Sequence, residues 1–436
     1  MKDDKFFWSY KEQPGRKIKT DYLKDTNEKP LVSIITSYYN SQEFMWQTIN
    51  CILNQTFPYW EWIIVDDGST DHNSIEYLEN VKKIDTRIHV YRKENEGLAK
   101  GRDYAIKYAN TNYILPLDAD DLIEPTYIET LYWAMEENKE AAWAFTNSLG
   151  FGKYIYLMDQ PFDSERMKTE NHITATALIR KEKILQLGGY GVAKRYVNED
   201  WHLWLRMLAN KEYPIQITYY GFWYRRREQS LLTQINDEKN KENELRLRDI
   251  KIEADKIRGK IEPLMLPRGK LQDISKLECN ELNWNKKLPK ILKENILYIL
   301  PATGMDKKTY KEIKKKSEKY NVSIITLENI EHSHYALRQK YERFATVFDL
   351  TTFLGQKSWL GFIKYIINTR DIKDIYIAEK YANIEFFKQK LKIKETVMYK
   401  ENKFLYKLAI LYYKLKHTLV GRAIRKFIRI LRKEEI

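Results

Sequence analysis

Near the start of the chain, short β-branched runs alternate with stretches whose apolar residues recur every three or four positions. "LVSIITSYYN" reads as a buried strand that ends in small and polar residues. "SQEFMWQTINCILNQ" places Phe44, Ile49, Ile52 and Leu53 at helical spacing. "WEWIIVDDGSTD" gives a second strand, "IHVYRK" a third, "GLAKGRDYAIKYAN" a helix and "YILPLDADD" a fourth strand. Strands alternating with helices predict an α/β fold built on a largely parallel sheet with helices on both faces. Three of these strands end in polar tips, at residues 38–40, 66–71 and 118–121. Ligands of open α/β sheets sit at the carboxyl ends of strands, so the tips are expected around one crevice.

The pattern changes after about residue 233. "NDEKNKENELRLRDIKIEADKIRGKIEP" is highly charged and predicts a solvated helix or linker. A second alternation starts near Asn295, with strands in "NILYILPA", "VSIITLE", "TVFDL" and "DIYIAEK". Helices are predicted in "KKTYKEIKKKSEKY", "SHYALRQKYERF", "SWLGFIKYIINT" and "NIEFFKQKLK". The predicted organisation is a polar lead-in (1–29), a first α/β domain (30–235), a charged helical linker (236–290), a second, smaller Rossmann-like α/β domain (291–397) and a basic amphipathic tail (398–436).

Composition narrows the function classes. With 43% hydrophobic and 31% charged residues, the 436-residue chain can bury a core in each domain. The net charge of +14 favours anionic partners. The basic residues are spread through charged helices without a nucleic-acid motif, so no nucleic-acid partner is expected. Cys51 and Cys279 are the only cysteines, which argues against a disulfide framework or a zinc site. No apolar run suggests a signal peptide or a spanning helix, and a cytoplasmic protein is expected.

The candidate chemistry lies at the tips. In "YILPLDADD", Asp118, Asp120 and Asp121 crowd the end of an apolar run. If the strand continues through Asp118-Ala119-Asp120, both carboxylates point to one side. Such a pair suits Mg²⁺ or Mn²⁺ shared with phosphates, which would relieve the repulsion. Alternatively, Asp120 or Asp121 caps a helix in "LIEPTYI". In "VNEDWHLWLRM", Trp201, Trp204, Leu205 and Leu208 mark the buried face of a helix. Glu199 and Asp200 lie in its first turn, where the helix dipole favours carboxylates. They are either simple caps or a general base.

Taken in order, "VSIITSYYN", "QTFPYWEWIIVDDGSTD", "NEGLAKGRDYAI", "YILPLDADD" and "NEDWHLWLRM" resemble the family 2 glycosyltransferases, inverting enzymes of the GT-A fold. The resemblance covers roughly residues 30–235. It implies that Tyr39 stacks on a nucleobase, that Asp67 accepts a hydrogen bond from uracil, and that Arg102 helps hold the nucleotide. It makes Asp118 and Asp120 the Asp-x-Asp motif, with Asp120 binding the Mn²⁺ or Mg²⁺ that bridges the diphosphate. It makes Asp200 the base that deprotonates the acceptor hydroxyl and gives Glu199 an orienting role. Gly188 and Gly189, in "LGGYG", and Trp201 would line the acceptor.

The sequence departs from the family pattern at two places. Ser37-Tyr38 stands where Pro-Thr is common, so Tyr38 could replace Tyr39 in stacking. Arg227 occupies the usual position of a metal-binding His. A guanidinium cannot ligate a metal, but it can pair with a diphosphate. The second α/β unit resembles the amino-terminal half of a GT-B glycosyltransferase, for which a structural or acceptor-binding role is expected.

The expected activity is transfer of a sugar from a UDP-sugar to a glycan or lipid-linked acceptor in bacterial surface polysaccharide synthesis. The alternative is a catalytically weak module that binds nucleotide or glycan. In the tail, Val420, Ile424, Phe427, Ile428 and Leu431 fall on one helical face and the basic residues largely on the rest. Such a helix suits either an anionic membrane surface, placing the enzyme at the inner face of the membrane, or packing on the second domain or another subunit in a homo-oligomer.

Overall fold

The computed structural model describes residues 14, 29–191, 198–228, 241–264, 293–301, 307–327, 335–378 and 396–399. They fall into two compact units, one within Ser9–Leu266 and one within Pro267–Ile436. The lead-in other than residues 14 and 29, the helix expected in "NIEFFKQKLK" and the basic tail beyond Tyr399 lie outside the described residues.

In the first unit, β1 (Val32–Tyr38) pairs in parallel with both β2 (Trp60–Asp67) and β4 (Tyr113–Pro116), and β3 (Ile88–Lys93) pairs in parallel with β2. Nearly every position of β1 and β2 is buried, as expected of strands covered on both faces. Among their buried polar side chains, Ser33 is satisfied inside by Glu61 and Thr111. The helices α1 (Gln42–Leu53), α2 (His72–Val81) and α3 (Leu98–Tyr108) connect these strands.

Beyond β4 the sheet becomes mixed. β8 (Leu178–Arg180) runs antiparallel to β4 and to β6 (Trp143–Gly152). β9 (Pro214–Arg226) lies parallel to β6, with register shifts at Asn147. The short β5 (Leu122–Ile123) closes antiparallel on β9. β7 (Tyr156–Met158) pairs with β6. α4 (Tyr127–Glu137), α5 (Ser164–Met167), α6 (Lys181–Gln186) and α7 (Glu199–Ala209) complete this half. The expected parallel sheet is thus the β3-β2-β1-β4 half, and the rest follows the order β8-β6-β9-β5.

The described part of the charged segment, residues 241–264, does not behave as a solvated linker. It contains α8 (Lys241–Ala254), whose Ile250 and Ala254, with Ile257 beyond, are buried in the same core as Trp201, Trp204 and Leu205 of α7. Further on, Leu264 bridges to Ile215 of β9. The first unit therefore extends to Leu266, past the boundary expected at residue 235. The sequence looks linker-like because α8 spends only a few apolar residues on its contact.

The second unit holds β10 (Asn295–Leu300), α9 (Lys307–Ser317), β11 (Asn321–Thr326), α10 (Tyr335–Glu342), β12 (Ala345–Asp349), α11 (Gln356–Arg370), β13 (Ile372–Ala378) and β14 (Thr396–Tyr399). All strand pairs are parallel, in the order β12-β11-β10-β13-β14. β14 is a strand that the sequence pattern does not reveal.

Candidate active site

The first strand tip is arranged by side chains that look unremarkable in the sequence. Tyr38 is fully buried and its hydroxyl bonds Ser74 Oγ at 2.6 Å. It cannot stack on a ligand, which removes the expectation that it replaces Tyr39. Tyr39 is 46% exposed. Ser37, just before them, is partly buried, close beneath Gly101 of α3. Asn40 adopts a positive φ of 46° and its Oδ1 accepts from the Thr70 and Asp71 N–H groups, joining the β1 tip to the β2 tip.

The two acids that end β2 are spent on structure. Asp66 accepts from Ser69 N at 2.8 Å. Asp67 accepts from Lys93 Nζ at 2.9 Å, Glu96 N at 3.1 Å and Gly97 N at 2.7 Å. Its side chain is 3% exposed. A carboxylate with three fixed donors and so little surface anchors the loop into α3. It does not present the open acceptor that uracil recognition was expected to use.

The Asp-x-Asp segment also differs from its expected geometry. β4 stops at Pro116, which has no N–H for a further ladder bond. Asp118–Asp121 is a turn closed by Asp121 N donating to Asp118 O at 3.3 Å. Thr36 donates to Leu117 O, and Thr48 donates to Ala119 O and Asp121 O, so two buried hydroxyls hold the turn. Neither Asp120 nor Asp121 caps a helix, because β5 follows and Thr126 precedes α4.

The carboxylates consequently go to different cations. Asp118 Oδ1 accepts from Arg102 Nη2 at 2.8 Å, and Asp120 Oδ2 pairs with Arg227 Nη2 at 2.5 Å. Asp121 is buried and accepts from Arg225 N at 2.8 Å. Burial pushes the Asp120 carboxyl above its ordinary range despite Arg227 beside it, and the Asp118 charge adds to the rise. Burial, then the charges of Asp120 and Asp118, pushes Asp121 well up. Arg225 ties the turn to its surroundings: its guanidinium lies 4.1 Å from the Phe44 ring centre and 4.5 Å from that of Phe151 while donating to Asp120 O and Gln47.

Arg102 is not a surface contact. Its side chain is 1% exposed and bridges Asp118 to Glu199, so it cannot reach a diphosphate directly. It links the turn after β4 to the first turn of α7. Glu199 is buried, and burial pushes its carboxyl up to about 7, opposed by Arg102 and reinforced by Asp200 and Asp118. Asp200 is partly buried; burial raises its pKa, and Arg102 counteracts it. Its Oδ2 accepts from Asn171 Nδ2 at 3.0 Å.

The expected acceptor residues divide. Trp201 is buried and donates to Met167 O at 2.7 Å, so it anchors α5 and does not line an open surface. Gly188 is exposed with φ of 74° and nothing within 4 Å of a built Cβ. Gly189 has φ of 89°, and a Cβ there would meet Asp103 Oδ1 at 2.5 Å; that carboxylate also takes the Tyr190 N–H at 2.8 Å. Thr36, Thr48, Asn171 and Arg225 are site-building residues that sequence reasoning missed. Only Arg225 carried a signal, as part of the "RRR" run.

Comparison with known proteins identifies the family. A model of the glycosyl transferase family 2 matches residues 33–194. The putative teichuronic acid biosynthesis glycosyltransferase TuaG of Bacillus subtilis is 34% identical over 191 residues, 42% of this chain and 74% of that protein. The chain belongs to glycosyl transferase family 2. Glycosyltransferase GlyG of Streptococcus pneumoniae is 34% identical over 143 residues, 31% of this chain and 47% of the relative. A crystal structure of S. aureus TarS in complex with UDP-GlcNAc is also similar, with a TM-score of 0.43 and 18% identity over 51% of this chain and 66% of that one. As a family 2 member the protein is a glycosyltransferase, and its matched region contains the tips of β1, β2 and β4, whereas α7 lies just beyond it.

Proposed function

We propose that this glycosyltransferase moves a sugar from a UDP-sugar to a hydroxyl of a glycan or lipid-linked acceptor, with inversion, during synthesis of a bacterial surface polysaccharide. The observation that carries the proposal is the unequal pairing of the site's acids. Asp118 and Glu199 share Arg102, and Asp120 holds Arg227. Asp200 is held by a neutral amide and, among the described residues, has no cation within ion-pair distance. A carboxylate without a fixed cation, with its pKa raised by burial, suits a general base.

In this reading Asp200 takes the proton of the acceptor hydroxyl as that oxygen attacks the anomeric carbon. The bond to the diphosphate breaks on the opposite face, and UDP leaves with its charge. Asp118 and Asp120 each keep one oxygen outside their ion pairs. Among the described residues no group of three or more His, Cys, Asp or Glu side chains could hold a metal, so a cation there would be completed by the donor's phosphates. That donor set fits Mn²⁺ or Mg²⁺, which would neutralise charge on the leaving diphosphate. Arg227 is placed to add positive charge at the same point, and Tyr39 offers the exposed ring for the nucleobase. The name of the TuaG relative supports a surface polysaccharide as the product.

The test is the stereochemistry of turnover. UDP-glucose and UDP-N-acetylglucosamine, both α-linked, are supplied with Mn²⁺ and the released sugar is followed by proton NMR. A β-anomer appearing first supports a single displacement. An α-anomer appearing first contradicts it, and turnover unaffected by a chelator contradicts the metal assignment.

A further inference from the structure

Three buried polar atoms at the site have no hydrogen-bond partner among the described residues: Arg102 Nε, Arg227 Nε and Asn171 Oδ1. Each belongs to a side chain whose other end holds a site carboxylate. An unmet buried polar atom is costly, and a chain keeps one where the group serves another purpose. For the two arginines that purpose is an ion pair. Asn171 has no charge to gain, yet its amide is turned so that Nδ2 faces Asp200 and Oδ1 goes unpaired.

The segment carrying Asn171 is built to be stiff. Asp163 caps α5 through the Glu165 and Arg166 N–H groups, and its own N–H donates to His172 Nε2 at 3.1 Å, which closes residues 163–172 on themselves. Trp201 Nε1 fastens Met167 O to α7, and Ser164 Oγ accepts from Ile261 N at 2.8 Å. His172 packs on Phe162, 5.6 Å between ring centres. Asn171 thus reaches Asp200 from a loop tied both to the base's own helix and to the chain beyond α8.

We infer that Asn171 is the positioning residue for the proposed base: its amide occupies Oδ2 of Asp200 and leaves Oδ1 as the oxygen that receives the acceptor's proton. This rests on the reading of Asp200 as the base. Among the described residues, the charged and titratable groups around Asp200 are Arg102 from α3, Asp118 from the turn after β4, Glu199 on α7 and Tyr190 from the turn before it. Arg102 is committed to Asp118 and Glu199, so Asn171 is the only side-chain donor to Asp200 among the described residues. Its hydrogen bond favours the ionised form, and losing it makes the carboxylate harder to ionise.

Two measurements on the full chain test this. In nitrogen-15 NMR, the Asn171 side-chain amide, identified by its disappearance in Asn171→Ala, should titrate with pH in the wild type and stop titrating in Asp200→Asn. An amide that ignores pH, or that titrates unchanged in Asp200→Asn, overturns the inference. In the second measurement, UDP release from UDP-glucose and UDP-N-acetylglucosamine with Mn²⁺ is followed from pH 5 to 9. The acid limb should move up by about one pH unit in Asn171→Ala, about what one hydrogen bond to a charged group is worth. It should move at least as far in Asn171→Asp, while UDP affinity stays at the wild-type value in both. Limbs that stay in place while Asp200→Asn is inactive overturn the role of Asn171. Wild-type turnover in Asp200→Asn instead removes Asp200 as the base, a separate failure.

Discussion

Glu199 shows how much a single position can carry. It opens α7, where a carboxylate is favoured by the helix dipole, yet it is buried against Arg102. Burial raises its pKa to about 7 from an ordinary value of 4.5, with Arg102 opposing and Asp200 and Asp118 adding to the shift. The folded protein therefore binds this proton more tightly than the unfolded chain between about pH 4.5 and 7. The stability linked to protonated Glu199 is fully present below the unfolded pKa and is lost as the pH rises through 7. Glu199→Gln has no such proton to lose. Thermal melting of both proteins at pH 5 and pH 8 should show the wild type losing stability relative to the variant as the pH rises. Parallel changes in the two would contradict the assignment. The site is also where the sequence says least about how each side chain is placed. The sequence marks Arg102, Asp67 and Trp201 by type and position, but burial decides their roles, and burial of a polar side chain has no local sequence signature. Arg102 and Asp67 support the site from inside, and Trp201 anchors α5.

At the scale of elements, β1 to β4 and α1, α3 and α7 were legible because each combines a clear period with a clear stop. The strands from β5 to β9 were not. β9 runs for 13 residues and is buried along most of its length, and β6 is buried along nearly all of its own, so neither alternates apolar and polar positions. Register shifts at Asn147 break any remaining pattern. α2 was missed because few of its residues are buried. α8 was misread for a related reason, since its charged face dominates its composition. Ile250, 4% exposed, places α8 in the core beneath α7. Ile250→Ala should destabilise the first unit by about 2–5 kcal/mol, the usual range for such a truncation in a packed core. Denaturant unfolding that changes by less than about 0.5 kcal/mol would return α8 to the status of a solvated linker.

For the whole molecule, one unit carries the family match and the site, and the other is a separate parallel sheet. Among the described residues no helix is long and apolar enough to cross a membrane, and the basic tail lies beyond them. The fold of the first unit brings together carboxylates from two distant segments, Asp118 and Asp120 after β4 and Asp200 at the start of α7, with Arg102 joining the two sides through Asp118 and Glu199. In the proposed function, Asp200 alone among these acids acts as the base. Turnover of a UDP-sugar by Asp200→Asn, compared with the wild type under the same conditions, tests it most directly. Turnover should fall by at least about a hundredfold, a general-base contribution, with UDP affinity near the wild-type value. Turnover within a few-fold of the wild type would contradict it and leave Asp200 as a helix cap.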